Sequence, residues 1–199
     1  MITVINYSDL LNQLETFFAD RSIKICVLFH ILGLAREEYA LSRKIPLNIR
    51  ILDAPIIPKK IHYIWFGGNP LPKQYQDWIK TWKKFCPDYE IIEWNESNYD
   101  VTKNKYMSQA YQAKKWGFVP DYARLDVIYK YGGIYLDTDV ELIANLDDLL
   151  HQEAFACFES NENVAFGLGV GAAKGNHLIK ELRDWYDNIS REDVKWYVG

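Results

Sequence analysis

The sequence predicts an α/β fold, a sheet covered by helices on both faces. Three observations carry this: short apolar runs alternate with helical stripes from residue 61 to residue 140, glycine pairs punctuate the alternation, and two carboxylates close the third run.

Ile61-His62-Tyr63-Ile64-Trp65-Phe66 has the length and composition of a buried strand, halted by Gly67-Gly68. Tyr75, Trp78, Ile79 and Trp82 form a helix stripe that Cys86-Pro87-Asp88 breaks. Glu90-Ile91-Ile92-Glu93-Trp94 reads as the next strand, and Tyr106 to Trp116 as a helix ending at Gly117. Pro120 suits the first turn of a helix running to Tyr131, stopped by Gly132-Gly133 before the strand Ile134-Tyr135-Leu136-Asp137-Thr138-Asp139-Val140. In sheets of this kind ligands bind beyond the carboxyl ends of strands, where Trp65-Phe66-Gly67 and Asp137-Thr138-Asp139 fall.

Upstream the texture differs. Leu10, Leu11, Leu14, Phe17 and Phe18 make a helical stripe after a Ser8 cap, and a second helix is expected over about 23–44. Asp53-Ala54-Pro55-Ile56-Ile57-Pro58 reads as an extended connector. The expected organisation is a helical extension and linker over 1–56 and an α/β domain over 57–199.

With 49% hydrophobic and 15% aromatic residues, 199 residues can bury one good core. A net charge of −4 offers no basic footprint for nucleic acid. Cys26, Cys86 and Cys157 are odd in number and lack CxxC spacing, which points to a reducing compartment and a cytoplasmic location. The longest apolar run, from Ile23 to Ala35, is too short to span a bilayer. Peripheral docking at the inner face of a membrane stays open as its second role.

On a strand, Asp137 and Asp139 would stand side by side with Thr138 turned away. Carboxylates that close repel unless a cation joins them, and hard oxygens suit Mg²⁺ or Mn²⁺ completed by water and substrate phosphates. On the tripeptide alone, two exposed Asp closing a strand in a solvated turn is the better explanation, and the context has to decide. Asp121 and Arg124, three apart on one helix face, form either a surface ion pair or an acceptor and forked donor for a polyol. Trp65 offers either a core ring or a face for a nucleobase. Gly167, Gly169 and Gly171 match no phosphate loop, and glycine at period two marks close backbone approach, at most a wall of the pocket. His30, His62, His151 and His177 lack metal spacing and read as structural or surface histidines.

In this order the pieces resemble the family 32 glycosyltransferases with a DXD sugar-binding region, the group of bacterial capsular-polysaccharide transferases and yeast-type mannosyltransferases. The resemblance is carried by residues 57–68, 82–94, 118–125 and 131–140, and covers the chain from about Ile57 onward. It implies a GT-A fold and transfer of a sugar from a UDP- or GDP-sugar, with retention, to a polysaccharide, oligosaccharide or lipid-linked glycan. By similarity, also to the glucosylating clostridial toxins, Trp65, Phe66 and Gly67 would meet the donor, with Trp65 on the base. Asp121 and Arg124 would hold sugar hydroxyls and Tyr135 would line the same site. Asp137 would touch ribose or sugar and join Asp139, the ligand of Mn²⁺ or Mg²⁺. The implied catalytic group is therefore Asp121, Arg124, Asp137 and Asp139, without a dedicated base. The resemblance further implies a C-terminal part short relative to the family, which usually continues into a segment completing the metal shell and acceptor site. The alternatives are a sugar-nucleotide-binding module without catalysis, a toxin-like protein glycosyltransferase, and a phosphatase of the haloacid dehalogenase type.

Overall fold

The computed structural model describes residues 52–157 and 165–189. The helices expected over 8–20 and 23–44 lie outside the described residues. Within them, β1 (Lys60–Ile64), α1 (Lys73–Phe85), β2 (Glu90–Trp94), α2 (Lys105–Gln112), α3 (Pro120–Tyr131) and β3 (Gly133–Tyr135) follow one another. After a 3-10 helix over Asp147–His151 come β4 (Ala154–Ala156), β5 (Val170–Ala172) and α4 (His177–Trp185), closed by a 3-10 turn over Tyr186–Asn188.

The sheet has the order β2-β1-β3-β5-β4. β2, β1 and β3 run parallel, while β5 is antiparallel to both β3 and β4. Side chains alternate across it as strand geometry requires. Ile61, Tyr63, Ile134 and Leu136 enter one core with Trp82 of α1; Ile64 and Tyr135 enter the other with Met107, Leu125, Ile128 and Ile179 from the three remaining helices. Both faces are therefore covered, as the alternation predicts, and the antiparallel β5 makes the sheet mixed. No helix of the described residues is long and apolar enough to cross a membrane.

Helix α3 lies between the sheet and α4 and is buried all round: every residue from Tyr122 to Ile128 is buried, Arg124 and Asp126 included. A buried charge needs a partner. Asp126 accepts from Tyr99 Oη (2.8 Å) and Lys130 Nζ (2.7 Å), with Lys103 and Arg183 at 3.4 Å. These groups tie α3 to the segment before α2 and to α4.

Gly132 and Gly133 join α3 to β3 with no intervening loop, at φ +66° and +105°. A side chain would be strained at both, and a Cβ on Gly133 would meet the Lys60 carbonyl at 2.8 Å. The α2 terminus departs from expectation. Gly117 does not end the helix; Lys114 takes the left-handed position at φ 54°, with Lys115 N–H bonded to Ala110 O and Lys114 N–H to Tyr111 O. The proline-bracketed connector is also not a free linker over its described part, since Ile56 and Ile57 N–H both donate to Leu150 O and Ile57 is buried.

His62 is structural, as its spacing suggests. It is fully buried in β1, with Nδ1 accepting from Trp94 Nε1 (3.1 Å), so Nε2–H donates to Gly132 O (2.8 Å). Burial pushes its pKa down to about 4. The folded protein thus holds a neutral imidazole, the unfolded chain an ordinary one near 6.5. The stability this contributes is complete above pH 6.5 and is lost as pH falls toward 4, about 3 kcal/mol in all. Urea unfolding at pH 7 and pH 4 should show a loss about 3 kcal/mol larger for the wild type than for His62→Gln.

Candidate functional site

The parallel pairing of β1 with β3 sets their carboxyl ends at one edge of the sheet. The ladder runs on past β3, with Leu136 N–H donating to His62 O (3.0 Å). At Asp137 it stops: Asp137 N–H donates to Gly167 O (2.8 Å), and Val140 N–H closes a turn on Asp137 O (3.1 Å). This corrects the expectation that both carboxylates sit on a strand. Asp137 is half-buried and Asp139 is exposed, because the turn between them ends the period-two alternation; Thr138 is buried rather than turned away.

The first turns of α3 bring Asp121 and Arg124 to the same edge. Arg124 Nη2 donates to Asp121 Oδ1 at 2.9 Å and lies 4.0 Å from Asp137 Oδ1. Its guanidinium stands over the Tyr135 ring, 5.1 Å from the centroid. Tyr135 Oη donates to Asp137 Oδ1 at 2.5 Å, and Tyr106 Oη of α2 donates to Asp121 Oδ2 at 2.9 Å. Four of the expected residues, Asp121, Arg124, Tyr135 and Asp137, are thus one connected cluster.

Its electrostatics follow from burial. Burial works against the Arg124 charge, but the facing Tyr135, Asp121 and Asp137 outweigh it and hold its pKa above the ordinary arginine value. Burial pushes the Asp121 carboxyl up from its ordinary value, opposed by Arg124 and the Tyr106 hydroxyl and reinforced by Asp137. Burial also raises the Tyr135 phenol far above 10, so it remains a hydrogen-bond donor. One fixed cation, two carboxylates and two phenols make a surface suited to hydroxyl groups, which need both donors and acceptors.

The β1 end is separate in construction. Trp65 is half-buried, its ring edge-on to Tyr75 (5.9 Å) and its Nε1–H donated to Asn69 O (2.7 Å). Gly67 N–H donates to Glu96 Oε1 (2.6 Å), which also takes the Tyr111 hydroxyl (3.0 Å). Phe66 belongs to the core beneath, only 7% exposed, beside Tyr99 and Tyr111.

Among the described residues no three His, Cys, Asp or Glu side chains gather as a ready metal cage. The Asp139 carboxylate makes no hydrogen bond or ion pair among the described residues, which leaves a hard oxygen donor at the turn beside Asp137. Two such groups fit Mg²⁺ or Mn²⁺, ions that take one or two carboxylates and fill the rest of their shell with water and phosphate.

Two further residues touch the cluster. Tyr106 carries no motif signal, since only the packing of α2 on α3 aims it at Asp121. Gly167 was legible through glycine period alone.

Residues 72–156 match the family model for a glycosyltransferase sugar-binding region containing a DXD motif. This segment contains Tyr106, Asp121, Arg124, Tyr135, Asp137 and Asp139, while Trp65 and Gly167 lie outside it. Inositol phosphoceramide mannosyltransferase 3 of Schizosaccharomyces pombe is 31% identical over 134 residues, covering 63% of this chain and 36% of that protein. Mannosyl phosphorylinositol ceramide synthase SUR1 of Saccharomyces cerevisiae is 25% identical, covering 73% of this chain and 39% of the relative. The chain spans less than half the length of these relatives. The solved structure of the PaToxG glycosyltransferase superposes with a TM-score of 0.56 at 19% identity, covering 75% of this chain and 64% of the other, so the fold is that of a glycosyltransferase.

Arg124→Met leaves the part-buried Asp121 without its cation and should lower urea-unfolding stability by about 1–3 kcal/mol. Tyr106→Phe removes one neutral donor and should cost about 1–2 kcal/mol in the same measurement.

Proposed function

We propose that this chain, whose residues 72–156 match the model of a DXD-containing glycosyltransferase sugar-binding region, transfers a hexosyl group from a UDP- or GDP-sugar with the help of a divalent cation. The observation that carries this is the connected cluster of Arg124, Asp121 and Asp137, followed two residues on by the exposed Asp139, whose carboxylate has no partner among the described residues.

In this reading Asp121 accepts from donor-sugar hydroxyls while Arg124 donates to them, and the ion pair keeps both oriented without substrate. Tyr135 fixes Asp137, which meets ribose or sugar. Asp139, with Asp137, would hold Mn²⁺ or Mg²⁺. When bound, the cation supplies Lewis-acid stabilisation of the charge that develops on the leaving nucleoside diphosphate. What the protein itself contributes is orientation of the anomeric carbon by a rigid, half-dry wall. Trp65 offers its ring to the base. Retention of configuration, which the family resemblance implies, leaves no step that needs a protein base.

The acceptor is a glycan or lipid-linked glycan. The mannosyltransferase names of the relatives make a mannosyl donor the first to test, and the inositol phosphoceramide in those names makes a lipid-borne acceptor a natural companion to capsular polysaccharide. A lipid-borne acceptor would bring the chain to the inner face of a membrane.

A hydrolysis screen over UDP- and GDP-sugars, with and without Mn²⁺, tests the proposal. One donor should be cleaved in the presence of Mn²⁺ alone, and Asp139→Asn should slow that cleavage on the order of 100-fold or more. Full activity in Asp139→Asn would remove the metal assignment. Metal-dependent binding without cleavage or transfer would favour a binding module, and no binding at all would end the sugar-nucleotide reading. Trp65→Ala should weaken nucleotide binding by about 1–3 kcal/mol, read by titration calorimetry, if its ring carries the base.

A further inference from the structure

The turn before β5 reaches the cluster from the far side of β3. Gly167 accepts the Asp137 N–H through its carbonyl at 2.8 Å. An added Cβ at Gly167 would fall on Asp137 Oδ2, far inside van der Waals contact, and would lie 3.0 Å from Arg124 Nη1. The Asp137 carboxylate therefore occupies the place where any other residue at 167 would put its side chain. The Asp137 carboxylate takes the Tyr135 hydroxyl at Oδ1, and its Oδ2 packs into the space that the missing Gly167 side chain leaves open. Arg124 is closed on the same side.

The neighbouring glycines work differently. A Cβ on Gly169 would meet Cys157 Sγ at 2.8 Å, and one on Gly171 would run into the Phe155 ring. Both serve packing between β4 and β5, with no atom of the cluster among their three nearest contacts. The turn itself is pinned to β4 through Ala165 N–H on Cys157 O (2.9 Å) and Cys157 N–H on Gly169 O (2.8 Å). Its position is thus set by the sheet and not by a ligand.

We propose that Gly167 is a positioning residue for donor binding. Its missing side chain lets the turn of residues 165–169 seat directly on Asp137 and Arg124, and so fixes the Asp137 carboxylate against Tyr135. This rests on the donor-binding reading above. Gly167 acts through Asp137 and touches no reacting atom. A side chain here would turn Asp137 away from Tyr135 and toward the place the sugar hydroxyls need, so donor affinity falls while the fold persists.

Two measurements on Gly167→Ala and Gly169→Ala decide it. In titrations with GDP-mannose and UDP-glucose in Mn²⁺, Gly167→Ala should lose about tenfold or more in affinity for the donor the wild type binds, with Gly169→Ala within about twofold. Equal losses in both, or none in Gly167→Ala, would overturn the proposal. A urea double-mutant cycle with Asp137→Ala needs no ligand: most of the stability cost of Gly167→Ala should vanish once the Asp137 carboxylate is gone, and additive costs would overturn the proposal. If the wild type binds neither donor, the sugar-nucleotide reading fails, and the cycle alone still decides whether Gly167 holds Asp137.

Discussion

Everything at the sheet edge depends on burying a charged helix. α3 has no solvent face between Tyr122 and Ile128, yet it carries Arg124 and Asp126. Each must be neutralised locally or the helix cannot occupy that place. Asp126 faces Lys103, Lys130, Arg183 and the Tyr99 hydroxyl, and the three cations over-satisfy it. Arg124 faces two carboxylates, Asp121 and Asp137. The first arrangement holds the helices together. The second leaves a carboxylate surplus next to the sheet edge.

Physical causes separate what was legible from what was not. β1, β2 and α3 were read to within two residues, because apolar periodicity, Pro120 and the Gly132-Gly133 pair all act locally. The Asp137–Asp139 strand was misread because a turn held by Val140 N–H leaves no mark in a sequence of alternating Asp. Lys114 in the left-handed region displaced the C-terminal cap that glycine would have signalled. β4 had no reading, since a three-residue strand is too short for a period to show.

At the site the division is similar. Asp121, Arg124 and Asp137 were singled out by residue type and spacing and Tyr135 through the family resemblance, and the structure joins the four. Phe66 was drawn in by adjacency to Trp65, but strand alternation sends it into the core beside Tyr99. Tyr106 could be recognised only from how α2 packs on α3, a long-range fact no local pattern encodes.

The hydrogen bond from Asp137 N–H to Gly167 O also has a bearing on how the site assembles. The Tyr106, Asp121, Arg124 and Tyr135 contacts close within one stretch of chain, with Tyr106 and Asp121 fifteen residues apart. The Gly167 contact spans thirty residues and requires β5 to insert beside β3. Doubling a loop adds only about 0.6 kcal/mol of closure entropy, but antiparallel β5 cannot pair until β3 exists to receive it. The contacts among α2, α3 and β3 are thus local in the chain, while the anchoring of the Asp137 backbone depends on β5 taking its place beside β3.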